Sequence, residues 1–282
     1  MMHALRFVEY VGIRMLLVLL TCISAPVALR FGNAIGAIAY ALCRGLRTRT
    51  EDNLRQAYGS TLNPDQLEGL SRGAFQVLGR NVAEVASLAR RPFEGLQVVN
   101  AGILRDAYAQ GKGVVLVSAH MGCFSRMVAI PRLLGMKGAA IMKRQRNSMI
   151  LDWARGFMKR RFDLDVILKT EATDQVQEHL KSGSLVGFFA DQHPRTGGFP
   201  AQFFGRPVEV APGPAIYAKR YHAPMVVLTC VSLPDGSHAV RCDGPVNPVG
   251  SLLEITRRWM AIIEERIREH PEQWMWMHRR WR

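Results

Sequence analysis

Cysteine is scarce and unpaired. Five residues (Cys22, Cys43, Cys123, Cys230, Cys242) are scattered over 282 positions, with no C-x-x-C. An odd, dispersed set argues against a disulfide framework and fits a reducing compartment. Clusters of His, Cys, Asp and Glu at metal-ligand spacing are missing too. His120 and Cys123 alone are too few to define a site, so no metal is expected. Acidic residues are in deficit: 23 Asp+Glu face 37 Lys+Arg, a formal charge of +14. Such a surplus suits negative partners, whether nucleic acid, anionic lipid or an acidic protein. Helix-turn-helix, zinc-finger and RRM signatures are lacking and the basic residues are dispersed, so nucleic acid is not expected as the partner. There are no internal repeats and no low-complexity tracts. With 48% hydrophobic and 21% charged residues, the chain is not disordered and is long enough for a substantial core.

Long apolar runs are confined to the amino terminus. Val11 to Leu29 carries a single charge, Arg14, and has Pro26 near its end. As one helix its 19 residues would just span a bilayer core. A shorter apolar stretch, Phe31 to Cys43, is followed by Arg44, Arg47 and Arg49, which puts the following region on the cytoplasmic side. An uncleaved anchor or interfacial hairpin is the favoured expectation. A cleaved secretory signal and a buried core helix are the alternatives.

Beyond that region the pattern is first helical and then alternating. Asn63-Pro64-Asp65 starts a helix, in which Leu67, Leu70, Ala74, Val77 and Leu78 recur at helical spacing. A short helix is expected over Ala101 to Gln110. Strands are expected at Val114–Ser118, Ala139–Met142, Val166–Leu168, Leu185–Ala190, Met225–Val231 and Ala239–Cys242. Helices are expected at Gly122–Leu134, Ser148–Arg161, Ala172–Lys181, Pro212–Tyr221 and Leu252–His270. The fold class is therefore α/β: a largely parallel central sheet with helices on both faces, preceded by a membrane-associated helical segment. His193–Pro212 and Pro234–Ser237 read as loops.

The carboxyl ends of strands in such a sheet are where ligands bind, and three strings fall there. In VVLVSAHMGCFSRM a buried strand runs into His120, whose imidazole suits general-base work. Five positions later, where a carboxylate would orient a catalytic imidazole, stands Ser125. A substitute acid would have to reach the ring, with Asp191 and Glu84 as candidates. Cys123 as a thiol nucleophile is a further possibility, although nothing in its spacing sets up attack geometry. After the next strand, Lys143, Arg144 and Arg146 with Asn147 form a cationic loop suited to phosphate groups. After a third, Asp191 and Gln192 form a polar cluster. The chain closes on PEQWMWMHRRWR, three tryptophans interleaved with arginines. That string suits a lipid interface, base stacking, or a docked terminus that buries its indoles.

In this order the strings resemble the lipid A late acyltransferases of the lauroyl/myristoyl type, a likeness extending over nearly the whole chain. Glu51-Asp52-Asn53-Leu54-Arg55-Gln56-Ala57-Tyr58, Phe203-Phe204-Gly205, Ala223-Pro224 and the closing string all resemble that family. The resemblance implies a membrane anchor over residues 1–45 and an acyltransferase-like α/β domain over 46–282. It implies His120, position 125 and Asp191 as the catalytic set, with Arg144, Arg146, Asn147 and Gln192 binding substrate. The family's acid, separated from the histidine by four intervening residues, is Ser125 here. The implied reaction moves an acyl chain from acyl carrier protein or acyl-CoA to a hydroxyl of a membrane glycolipid at the bacterial inner membrane, with no cofactor. An acidic carrier and an anionic membrane surface both suit the +14 charge. The alternative is a catalytically impaired lipid- or carrier-binding homologue.

Overall fold

The computed structural model describes residues 2–194 and 197–281; Arg282, last of the closing string, lies outside them. Two apolar helices, α1 (Met2–Thr21) and α2 (Ala25–Leu42), come first, followed by α3 (Arg44–Tyr58) and α4 (Pro64–Arg90). The expected 19-residue run is thus broken. Pro26 has no N–H to donate to the Cys22 carbonyl, so the helix cannot pass through it. No single described helix is long and apolar enough to cross a membrane; only a pair bent by 92°, Pro26–Leu42 with Arg44–Thr61, has the length and composition together. Nor are these core helices: Phe7, Val8, Leu16 and Leu19 on α1 and Val27, Phe31, Ile38 and Leu42 on α2 are exposed.

Asn63 starts α4 as expected. Its side-chain oxygen accepts from the Gln66 N–H at 2.9 Å, and Gln66 Oε1 accepts from the Asn63 N–H at 3.0 Å. The rest alternates: β1 (Leu96–Val99), α5 (Ala101–Ala109), β2 (Val114–Ser118), α6 (Ile130–Leu133), β3 (Gly138–Met142), α7 (Ser148–Phe162), β4 (Leu164–Leu168), α8 (Ala172–Lys181), β5 (Leu185–Phe189), β6 (Phe199–Phe203), β7 (Arg206–Val210), α9 (Gly213–Tyr221), β8 (Met225–Ser232), β9 (His238–Val246) and α10 (Leu252–Glu269). Seven strands form one sheet in the order β1-β9-β8-β2-β5-β3-β4, parallel throughout except for the antiparallel pair β8 and β9.

The period-2 alternation of side chains divides the core in two. Val115, Val117, Val186, Met225 and Val227 pack on one face with residues of α8, α9 and α10. Val114, Leu116, Leu185, Val226 and Leu228 pack on the other with α5 and the segment after β2. Strands covered on both faces read as continuous apolar runs, which is why they were legible.

Three elements differ from expectation. The edge strand β1 is short and half exposed, so it carried little apolar signal. The loop expected between His193 and Pro212 holds the β6–β7 hairpin. Its turn residues, Phe204 and Gly205, both have positive φ, at 52° and 68°. Pro200 and Pro207 masked the alternation and keep this ribbon apart from the main sheet. The helix expected over Gly122–Leu134 is instead a six-residue 3-10 segment, Phe124–Ala129, followed by the single turn of α6.

Glycine decides how α2 lies on α4. A Cβ at Gly79 would meet the Gly32 carbonyl oxygen at 2.1 Å, and one at Gly36 would meet the Phe75 carbonyl oxygen at 2.4 Å. The two backbones touch, and no side chain fits between them. Gly79→Ala is therefore expected to destabilise the protein by about 1–2 kcal/mol, overpacking outweighing the gain in helix propensity. Denaturant unfolding would check this; a stability equal to or above wild type would show that the contact yields.

Candidate active site

Because β2, β5 and β3 are parallel neighbours, the segments that follow them share one sheet edge. His120 lies two residues past β2, and Asp191 two residues past β5. The Asp191 carboxylate is buried and accepts three hydrogen bonds. Oδ1 lies 2.8 Å from His120 Nδ1; Oδ2 accepts from the His120 backbone N–H at 2.9 Å and from Trp274 Nε1 at 2.9 Å. An ionised carboxylate only accepts, so Nδ1 carries the ring proton and the neutral imidazole presents a free lone pair on Nε2. The His120 ring packs against Phe124 and Phe189, at centroid distances of 4.9 and 4.7 Å, and its side chain stays 20% exposed.

Burial alone would lower the His120 pKa, but the Asp191 charge and hydrogen bond outweigh it and raise it above the ordinary 6.5. Burial would raise the Asp191 carboxyl, yet His120 and the donated hydrogen bonds hold it below the usual carboxylate value.

The carboxy-terminal string is docked, with Trp274 and Trp276 buried. It runs beside the loop that follows β2: Met121 bridges Trp274, the Met275 N–H donates to the His120 carbonyl at 3.0 Å, and the Gly122 N–H donates to the Gln273 carbonyl at 2.8 Å. Asn53, from the early signature, donates to the Trp276 and His278 carbonyls at 2.6 and 2.7 Å. Gly122 has φ +53°, and a Cβ there would meet the Cys230 carbonyl oxygen at 2.4 Å. Only glycine brings this turn so close to β8.

The other candidates divide. Ser125 Oγ pairs with Cys123 Sγ at 3.5 Å and is not a partner of the His120 ring. Glu84 receives Arg126 Nη2 at 2.7 Å and stands 3.3 Å from His238, so it is not the substitute acid either. Gln192 Nε2 approaches Met275 Sδ at 3.7 Å beside the site. Arg144 is exposed at the same sheet edge, paired with Glu171 at 3.3 Å. With β5 between its strand and β2, it stands roughly 10 Å along the edge from His120. Arg146 is exposed and has no partner among the described residues. Asn147 does not face a ligand: it caps α7, accepting from the Met149 N–H at 3.1 Å, and donates to the Arg6 carbonyl at 2.7 Å and to Glu9 at 3.1 Å. Burial, with the Glu84 charge, pushes the Cys123 thiol up to about 12, which leaves it a poor nucleophile. Sequence reasoning missed Trp274 as a donor to Asp191; only its recurrence near the end of the chain hinted at a role.

One small cavity touches the ring and a second lies beyond Phe189, which packs against the ring. A cleft of about 10 Å³ lies between His120, Leu78 and Asn81 of α4, and Trp274 and Met275. An apolar cavity of about 40 Å³ lies under the 3-10 segment, lined by Met127, Pro131, Leu116, Gly187 and Phe189. A larger groove of about 880 Å³ runs past Gly138, Leu164 and Ser184 at the opposite sheet edge, away from the imidazole.

Asp191→Asn removes the influence that raises the His120 pKa and leaves burial to act alone. The imidazole pKa is then expected to fall below 6.5, as read by NMR titration of the ring. An unmoved pKa would mean that the carboxylate does not govern the ring.

Comparison with known proteins identifies the family. A family model described as bacterial lipid A biosynthesis acyltransferase matches residues 1–282. The lipid A biosynthesis lauroyltransferase of Escherichia coli (strain K12) is 23% identical over 292 residues, covering 100% of this chain and 94% of the relative. The lipid A biosynthesis palmitoleoyltransferase of the same organism is 24% identical over 272 residues, covering 91% and 85%. A lipid A biosynthesis acyltransferase of Shigella flexneri matches to the same extent. A match along its full length establishes that this chain is an acyltransferase, a member of the bacterial lipid A biosynthesis acyltransferase family.

Proposed function

We propose that the enzyme moves a fatty acyl chain from a thioester of acyl carrier protein or coenzyme A to a hydroxyl of a membrane glycolipid of the lipid A type. The observation that carries this is the Asp191–His120 pair at the open sheet edge. His120 Nε2 takes the proton of the acceptor hydroxyl as its oxygen attacks the thioester carbonyl. The tetrahedral adduct collapses, the C–S bond breaks, and the departing thiolate takes the proton back from the imidazolium. Asp191 holds the ring in its tautomer and stabilises its positive charge. It thereby does the work that Ser125 cannot, which weakens the case for an impaired binding homologue.

Exposed Arg144 and Arg146 suit an acidic carrier or a phosphate approaching the same edge. The exposed apolar faces of α1 and α2, with Arg44, Arg47 and Arg49 beside them, support a monotopic seat of residues 1–45 on the inner membrane, the α/β body facing the cytoplasm.

The acyl chain is assigned to the apolar cavity beneath Phe189. At about 40 Å³ it has room for a few waters and not for an acyl chain, so chain entry requires its walls to part.

Transfer of radiolabelled acyl groups to a lipid A precursor tests the reaction. His120→Ala is expected to abolish transfer and Asp191→Asn to slow it by roughly 10³–10⁴-fold. Because the base must be neutral and its pKa is raised, kcat/KM should climb with pH through an acidic limb above 6.5. Transfer by His120→Ala at the wild-type rate would refute the assignment.

Chain length supplies a separate test. A Cβ at Gly187 meets only the Ala139 carbonyl oxygen, at 3.7 Å, so a larger side chain fits into the cavity. Gly187→Leu is expected to move preference toward shorter acyl donors in a chain-length series. An unchanged profile would place the chain elsewhere.

A further inference from the structure

A second cavity, of about 320 Å³, lies between α2, α4 and the turn joining β8 to β9. Asn81 lines both this cavity and the cleft beside His120. Its Nδ2 donates to the Gly122 carbonyl at 2.7 Å and to the Val77 carbonyl at 3.0 Å, while its Oδ1 is buried with no hydrogen-bond partner. Asn81 is thus a wall common to the cavity and to the cleft that holds the imidazole.

Neither arginine on the walls is paired with a carboxylate. Arg30 and Arg80 line the cavity, and neither has an ion-pair or hydrogen-bond partner among the described residues. Arg80 Nε is buried and unpaired. The two acids on the walls are already engaged. Glu84 accepts from Arg126 Nε and Nη2 at 3.1 and 2.7 Å. Asp235 accepts from the Ser237 N–H at 2.9 Å and from its hydroxyl at 2.6 Å. Asp235 bonds only to neutral groups of Ser237 and does not reach either arginine, so two unpaired guanidinium groups remain on the walls and suit an anion.

The remaining polar groups call for hydroxyls. Asn33 Oδ1 and Asn81 Oδ1 are buried acceptors without donors. His238, 2% exposed, has neither ring nitrogen in a hydrogen bond, its Nε2 standing 3.3 Å from Glu84 without the required geometry. Buried polar atoms left unmatched are costly, and a polyol satisfies donors and acceptors together. A cation fits less well. The ligand atoms of Glu84, Cys123 and His238 lie within 4.8 Å of one another. Arg126, however, holds the carboxylate, and Arg80 also lines the cavity.

The walls are rigid, since the glycine contact of α2 with α4 fixes Arg30 and Asn33 opposite Arg80 and Asn81. Outside the cavity, Val27 and Phe31 on α2 are half exposed, a surface on which acyl tails of the same molecule can lie. We propose that this cavity holds the phosphorylated sugar headgroup of the acceptor lipid, Arg30 and Arg80 gripping the phosphate and the asparagine oxygens accepting sugar hydroxyls. The assignment rests on the acyl-transfer reading above and gives that reaction its acceptor subsite.

Calorimetric titration of the full-length protein in detergent with glucose 1-phosphate, inorganic phosphate and glucose tests it. Glucose 1-phosphate is expected to bind, inorganic phosphate more weakly, and glucose not measurably. Arg30→Gln and Arg80→Gln should each weaken glucose 1-phosphate binding about tenfold or more. Arg30 is exposed, so its variant keeps the fold if Arg80→Gln does not. In the transfer assay, Arg30→Gln should raise KM for a phosphorylated acceptor more than it lowers kcat, and should not raise KM for the dephosphorylated acceptor. Unaltered affinity in a folded Arg30→Gln protein overturns the site, as does equal affinity for inorganic phosphate and sugar phosphate. A wild-type enzyme that transfers no acyl group yet binds sugar phosphate through these arginines would retain the site and overturn the transfer reading instead.

Discussion

The buried carboxylate of Asp191 is the constraint on which the site depends. Three donors from two parts of the chain converge on it: the amide and ring of His120, just past β2, and the indole of Trp274, from the terminal segment. A buried, ionised group with no partners would be costly. With three donors it remains charged, and it fixes how the strand ends and the carboxy terminus meet. The same bonds set the histidine tautomer and raise its basicity, so structural and chemical roles belong to one group.

The terminal segment closes this arrangement. Gln273 pairs with both backbone groups of Ser232 on β8, at 2.8 and 3.0 Å, while Asn53 on α3 holds carbonyls further along. Arg280, fully buried, donates to the Glu209 carbonyl at 2.7 Å; burial lowers its pKa to about 10 against the opposing pull of Asp191. A string that reads as a cationic, aromatic tail is thus the back wall of the site. Its indoles are taken up by packing, which leaves the apolar surfaces of α1 and α2 as the membrane-facing candidates.

The amino-terminal helices follow another rule. Glycines at 32, 36 and 79 allow backbone contact between α2 and α4, and α4 in turn carries Asn81 and Glu84 toward the loop after β2. Arg126 crosses the same gap and donates to Glu84 and Ser87. The exposed apolar helices and the loop that carries His120 are therefore packed against one helix, α4.

The sequence alone determined the α/β class, the positions of the buried parallel strands, the Asn63 start of α4 and the place of His120 just past a strand end. These depend on local periodicity, capping chemistry and strand-to-loop transitions, all written in neighbouring residues. Local pattern could not show which acid serves His120, since Asp191 lies 71 positions away and meets it only because β2 and β5 pair. Nor could it show that Asn147 caps a helix and ties down α1, that the tryptophans turn inward, or that proline divides the first apolar run into two packed helices. Those outcomes came from tertiary structure, because each depends on which distant backbone or side chain arrives to satisfy a polar group or cover an apolar one.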